Sequence, residues 1–192
     1  FQSDKDGNYE IYVMNADGTN PTNITNDASG GDGTPSWSPD GTHLAFASHR
    51  NGRSETYVMN ADGTDPRPIF LDLDTRVVEP TWTPDGRAVV LRQQALAGSE
   101  RSSGIWMYGI GGEPARELLG ASQRGAAWPS LSRDGSYLYY HLATGPDDMV
   151  KGAYQLRRLE FATGRISEIT TGTDQAQYRG SSGGAIAPEV SP

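Results

Sequence analysis

The chain has 192 residues, a formal net charge of −8 and 35% hydrophobic residues, with 24 glycines and 12 prolines, enough for one sizeable domain with a buried core. Its 16 Lys and Arg are scattered and make no basic stripe for nucleic acid, and the acidic balance repels phosphate backbones. The absence of cysteine excludes disulfides, thiolate metal sites and cysteine nucleophiles, and the longest apolar runs, such as Ala88-Val89-Val90-Leu91, are far too short to span a bilayer.

The sequence opens on Phe1 with neither an initiator Met nor a leader pattern, which predicts a mature product or an excerpt of a longer chain. Tyr12-Val-Met-Asn-Ala-Asp-Gly-Thr19 recurs unchanged as Tyr57-Val-Met-Asn-Ala-Asp-Gly-Thr64, an offset of 45 that also lays Phe1 on Phe46 and Ile24 on Ile69. Residues 1–30 therefore read as a partial unit that begins at the end of a strand. In the first full unit, Thr34-Pro-Ser-Trp37 is a short extended run whose Pro suits a strand start and whose Trp is a core anchor. Ser38-Pro39-Asp40-Gly41 sets a turn: Pro fixes φ, Asp bonds its own backbone, and Gly takes φ > 0. Thr42 to Ser48 places Leu44 and Phe46 on one face, the period-two pattern of a half-buried strand. Asn51-Gly52 is a hairpin signal. Thr56 to Met59 is the third strand, Asn60-Ala-Asp62-Gly63 the next turn, and Pro68-Ile69-Phe70 a brief outer strand.

Pro, two residues, Ser or Thr, one residue, Asp-Gly is written at Pro35 to Gly41, Pro80 to Gly86 and Pro129 to Gly135, and a further copy opens at Pro188. The opening prolines lie 45, 49 and 59 residues apart. A period of that length with strand-like content predicts an all-β propeller of four-stranded antiparallel blades rather than a helical solenoid. The blades fall at about 1–30 (partial), 34–71, 79–120 and 127–171, with 187–192 starting another, all within one domain spanning 1–192. Trp37 and Trp82 are equivalent, as are Tyr12, Tyr57 and Trp106, and all are expected in the core.

Trp37-Ser-Pro-Asp-Gly41, Phe46 and Tyr57-Val-Met-Asn-Ala-Asp-Gly63 resemble the repeats of TolB-type β-propellers over nearly the whole chain. The resemblance implies a periplasmic or extracellular location and a non-catalytic protein-interaction or scaffold module, as in the Pal-binding domain of TolB. It equally allows an N-terminal gating or docking propeller of an amidohydrolase or serine peptidase whose chemistry is encoded elsewhere. Gln177-Tyr-Arg-Gly-Ser-Ser-Gly-Gly184 is similar to segments of amidohydrolase-linked propellers. Leu131 replaces the motif's Trp, Arg133 its Pro, and Gly111-Gly112 the Asp-Gly. Full blades numbering three are fewer than a ring of this kind uses, which predicts self-association or a partner chain that completes it.

No catalytic set emerges. Gly180-Ser-Ser182-Gly-Gly184 fits G-x-S-x-G, but the preceding residues are polar, a strand rather than a helix follows, and no His lies downstream; an inter-blade loop is the reading. Asp4-Lys-Asp6-Gly7-Asn8-Tyr-Glu10 alternates oxygen ligands as calcium sites do, yet neither the sixth-position Gly nor the twelfth-position Glu of an EF-hand is present, and the second copy keeps only the hairpin. His43, His49 and His141 have no zinc spacing. Asp72/Asp74 and Asp147/Asp148 read as solvated loop carboxylates, and Asn23-Ile-Thr25, a glycosylation string, as an outer strand. No cofactor or metal is implied.

If the family geometry holds, the residue before each inner-strand proline faces the axial funnel: Thr34, Glu79, Trp128 and Ala187. Glu79 and Trp128 are the odd ones out among these. With Arg124 and Arg179 from the preceding loops, they are the candidates for a rim that faces a ligand or partner.

Overall fold

The computed structural model describes residues 1–69, 75–96, 103–123, 125–143 and 154–169. Strands β1 (Gln2–Ser3), β2 (Glu10–Val13) and β3 (Thr22–Asn23) form a three-stranded sheet. Three four-stranded sheets follow, each antiparallel and meandering in chain order. The second sheet holds β4 (Asp32–Trp37), β5 (His43–Ser48), β6 (Glu55–Asn60) and β7 (Arg67–Pro68). The third holds β8 (Thr75–Trp82), β9 (Ala88–Ala95), β10 (Gly104–Gly109) and β11 (Arg116–Leu119). After a short 3-10 turn at Ala121–Gln123, β12 (Ala126–Leu131), β13 (Tyr137–Ala143), β14 (Tyr154–Glu160) and β15 (Ile166–Glu168) complete the fourth. These are propeller blades, all-β as the repeat predicts.

Local chemistry repeats with the sequence. In the turn between the first two strands of each full blade, a hydroxyl and the second residue after the Asp both donate to one aspartate: Ser38 and Thr42 to Asp40, Thr83 and Arg87 to Asp85, Ser132 and Ser136 to Asp134. Gly41, Gly86 and Gly135 close these turns at φ of 70°, 68° and 72°, where a side chain would be strained. Those donors hold the Asp40 and Asp134 carboxyls down at about 2. The fourth blade keeps this geometry although Arg133 stands where the others have Pro, because the aspartate and glycine set the turn. The duplicated octapeptide likewise folds twice into one loop, with Asn15 N–H donating to Thr19 O and Asn60 N–H to Thr64 O, both at 2.9 Å.

Between neighbouring blades lie three apolar layers. Leu44 and Phe46 point towards the first blade, with Ile11, Tyr57 and Met59. Ala45, from the opposite face of β5, joins Val58, Trp82, Val89 and Leu91 against the third blade. Val90 of β9 in turn joins Ile105, Leu138 and Tyr140 against the fourth. Each strand thus serves two layers through its period of two.

Two expectations are corrected. The inner strands begin earlier than the proline motif suggests, at Asp32, Thr75 and Ala126, and the described outer strand of the second blade is Arg67–Pro68, with Phe70 outside the described residues. Trp37 is also not core: it is 47% exposed, whereas Trp82 is 6% exposed. Trp82 packs on the preceding blade and donates its indole N–H to Ser36 O at 2.9 Å. Among the described residues the first sheet has no strand equivalent to β8's neighbour β4 to receive Trp37.

Candidate functional site

The inner strand of each full blade breaks register at the same place: Gly33/Ser36 in β4, Val78/Thr81 in β8 and Ala127/Ser130 in β12. The residue before the proline adopts a left-handed backbone, with φ of 49° at Thr34, 59° at Glu79 and 48° at Trp128. That conformation costs a non-glycine residue about 1–2 kcal/mol, and at Thr34 and Trp128 a hydrogen bond across the blade boundary opposes that cost. Thr34 N–H donates to Gln2 Oε1 at 2.7 Å, and Trp128 N–H donates to Glu79 Oε2 at 2.7 Å. In both cases a side chain of one blade satisfies the bulged backbone of the next.

The second strand supplies the facing side chains. Ala47, Arg92 and His141 pair with Gly33, Val78 and Ala127, and the 45-residue offset puts Gln2 at the corresponding place. Arg92 Nη1 lies 3.7 Å from Glu79 Oε1, with both side chains largely buried. In the next blade Trp128, His141 and Tyr154 cluster, with ring centroids 5.5 Å (Trp128–His141), 5.9 Å (Trp128–Tyr154) and 6.3 Å (His141–Tyr154) apart. Burial pushes the His141 imidazole below its ordinary pKa, so it is a neutral ring at neutral pH. An ion pair and an aromatic cluster therefore adjoin through the Glu79–Trp128 hydrogen bond. The half-buried rings of Trp128, His141 and Tyr154 offer aromatic faces for apolar or cationic groups, while the Arg92 guanidinium is buried against Glu79.

The model of the TolB beta propeller domain matches residues 1–153. The chain belongs to the TolB β-propeller family. No curated protein sequence matches it. Among solved structures, one assigned to TolB from Agrobacterium tumefaciens superposes with a TM-score of 0.71 at 18% identity, over 86% of this chain and 58% of that one. TolB from Acinetobacter baumannii gives 0.69 at 24% identity, over 88% and 39%. A puromycin-hydrolysing peptidase from Mycobacterium tuberculosis gives 0.63 at 15% identity, over 86% and 29%. The chain thus spans about two-fifths to three-fifths of the TolB structures, and at these identities the likeness is one of fold.

Within this TolB-type scaffold, the sequence-derived pair Glu79 and Trp128 is brought together. Arg124 and Arg179 lie outside the described residues, as do Gly180 to Gly184, Asp72/Asp74, Asp147/Asp148 and Ala187. Sequence reasoning missed Gln2, Arg92, His141 and Tyr154. The first three were within reach, since stepping along β5 by 45 backwards or forwards, then by 49, lists them as equivalents of Ala47.

Other polar residues singled out in the sequence are engaged locally. Asp6 accepts from the Tyr12 hydroxyl, and buried Glu10 accepts from Asn8 Nδ2 at 2.8 Å, from Asp27 N–H at 3.0 Å and from the Thr25 hydroxyl. Those oxygens hold the hairpin and the blade together. His49 Nε2 is 2.5 Å from Ser54 Oγ, but Ser54 is buried and out of reach of a substrate. Asn23 Oδ1 accepts the Thr25 and Asn26 backbone N–H groups at 3.1 and 2.9 Å. Among the described residues no group of three His, Cys, Asp or Glu side chains converges to hold a metal.

Proposed function

We propose that this TolB-type propeller is a non-catalytic protein-interaction or scaffold module that meets its partner on the inner-strand cluster of Glu79, Arg92, Trp128, His141 and Tyr154. One observation carries the reading: the backbone of the bulge repeats from blade to blade while its side chains do not, passing from Thr34 and Ala47 to Glu79 and Arg92 to Trp128 and His141. A constant scaffold with varied side chains suits recognition. Arg124 and Arg179 extend this rim in the proposal. The family supports a periplasmic or extracellular setting, and further blades, from more chain or a second copy, close the ring.

The experiment is site-specific photocrosslinking, with a photoreactive phenylalanine at position 128 or, for comparison, at the exposed position 42 in the turn between β4 and β5. Adducts formed at 128 and absent at 42 support the partner-facing role. Equal labelling at both positions, or none at 128 in the presence of the native partner, rejects it.

A second reading makes the same blades the docking or gating propeller of a larger amidohydrolase or serine peptidase. The match to the M. tuberculosis peptidase, of which the aligned part is 29%, favours keeping it. Here the partner is a covalently linked catalytic domain, and a nucleophile or metal cluster in the continuing gene decides for it.

A further inference from the structure

The crevices between successive blades are built alike, and one has lost its filling. Between the second and third blades, Trp82 packs on Ala45 and Val58, approaches the His43 ring with centroids 6.3 Å apart, and donates to Ser36 O. Between the third and fourth blades the equivalent of Trp82 is Leu131, that of His43 is Ala88, and that of Ser36 is Thr81. The blades have not closed up in response. A Cβ on Gly86 would sit 3.8 Å from Pro39 Cδ across the first of these crevices, and one on Gly135 would sit 3.7 Å from Pro84 Cγ across the second.

Larger neighbours take up part of the space: Val90 for Ala45, Met107 for Val58 and Phe161 for Ile110. What remains is a cavity of about 370 Å³ open to solvent, lined by Val90, Met107, Leu131 and Phe161. In the preceding crevice Trp82 fills the corresponding level, and a smaller hollow of about 250 Å³ remains among Val58, Arg67 to Ile69 and Gly109 to Gly112, without Trp82 in its lining. Arg116, whose guanidinium stands 6.0 Å from the Phe161 ring centroid, lines the cavity together with the carboxylates Asp85 and Asp134. Two carboxylates against one guanidinium disfavour an anion.

We propose that the crevice between the third and fourth blades is a binding site for a flat, indole-sized aromatic molecule with an N–H donor and no negative charge. The argument is internal to the chain: the indole of Trp82 occupies the corresponding space one blade earlier, and Thr81 is the repeat equivalent of Ser36, whose O receives that indole N–H. Apolar walls supply the affinity, and the Thr81 carbonyl fixes the orientation.

The test is calorimetric titration of the full chain with indole, tryptamine and indole-3-carboxylate. Indole and tryptamine are expected to bind with one-to-one stoichiometry, and the carboxylate at least about tenfold more weakly. Leu131→Trp fills the cavity from within; it is expected to abolish indole binding and to raise the Tm by about 2–4 °C. Leu131→Phe, a smaller change, is expected to weaken binding and guards against a misfolded Trp variant. Absence of binding to the wild-type chain, or undiminished affinity in both Leu131 variants, overturns the proposal. Trp128→Phe distinguishes this site from the inner-strand cluster: indole affinity lost there and kept in Leu131→Trp also overturns it. The partner-facing reading shares no residue with this crevice and stands or falls separately.

Discussion

Glu79 and Trp128 are joined across a blade boundary: one carboxylate oxygen of Glu79 accepts the Trp128 backbone N–H at 2.7 Å while the other lies 3.7 Å from Arg92. One side chain thus satisfies a bulged backbone and pairs with a buried guanidinium. Glu79→Ala leaves both without this acceptor and is expected to lower stability by about 1–3 kcal/mol in urea denaturation. Glu79→Gln keeps an oxygen for Trp128 and is expected to recover at least half of that loss. Equal losses in the two variants would show that the backbone hydrogen bond contributes nothing.

Trp37 and Trp82 occupy one motif position and differ in burial, 47% against 6% exposed. Trp82→Ala removes a packed indole and its hydrogen bond to Ser36 O, with an expected cost of about 3–5 kcal/mol. Trp37→Ala is expected to stay within about 1 kcal/mol of wild type. Parallel thermal and urea melts of the two variants decide it, and similar costs would mean that Trp37 is covered in solution.

Arg50 ties the start of the second blade to the loop before it. Its guanidinium lies 3.0 Å from Asp32 Oδ2 and 3.3 Å from Asp27 Oδ2, and packs 4.6 Å from the centroid of the Tyr57 ring. Asp32 is fully buried, and that burial pushes its carboxyl above the ordinary range, against the opposing pull of Ser48 and Arg50. Arg50→Ala strands the buried carboxylate and is expected to cost about 3–5 kcal/mol at pH 7. The sign with pH follows from the raised value. Removing Arg50, which pulls the Asp32 pKa down, raises the folded value further in the variant, so the penalty is full above the variant's folded pKa and shrinks as pH falls through it towards the wild-type folded value. Denaturation midpoints measured between pH 7 and pH 4 test this, and a penalty independent of pH would rule out the stranded charge as its source.

His141 gives the opposite slope. Burial among Trp128 and Tyr154 lowers its pKa, so below about pH 6.5 the unfolded chain binds a proton that the folded chain refuses. Its contribution is complete above that pH and is lost progressively as pH falls through the window down to the folded value. His141→Phe is expected to flatten the stability profile between pH 7 and pH 5, and NMR titration of the His141 ring should report a midpoint below 6.5, the ordinary value. A midpoint at or above it would place the ring in solvent or beside an anion.

How much of this was legible beforehand follows the range of the forces involved. The Asp-Gly turns around Asp40, Asp85 and Asp134 were readable because each is closed by hydroxyl and backbone donors within two residues of the aspartate. The alternation of Leu44 and Phe46 announced a strand face for the same reason, as pleating is local. Glu79 and Trp128 stood out because they break a repeat. Arg92, His141 and Tyr154 did not, since their relation to the bulge arises only when the second and third strands are laid beside the inner one.

By itself the sequence determined the repeat unit, the strand order within a blade, the turn chemistry and the membership of an all-β propeller family, all consequences of interactions between residues close along the chain. Tertiary structure decided which copy of a repeated residue is buried and which position becomes a site. Trp37 and Trp82 carry the same local instructions, yet only Trp82 has a blade carbonyl and an apolar wall to meet. Leu131 is an unremarkable substitution until the unchanged blade spacing leaves a cavity beside it. Burial, desolvation and cross-blade hydrogen bonding depend on neighbours tens of residues away, and only the packed arrangement of blades brings those neighbours into contact.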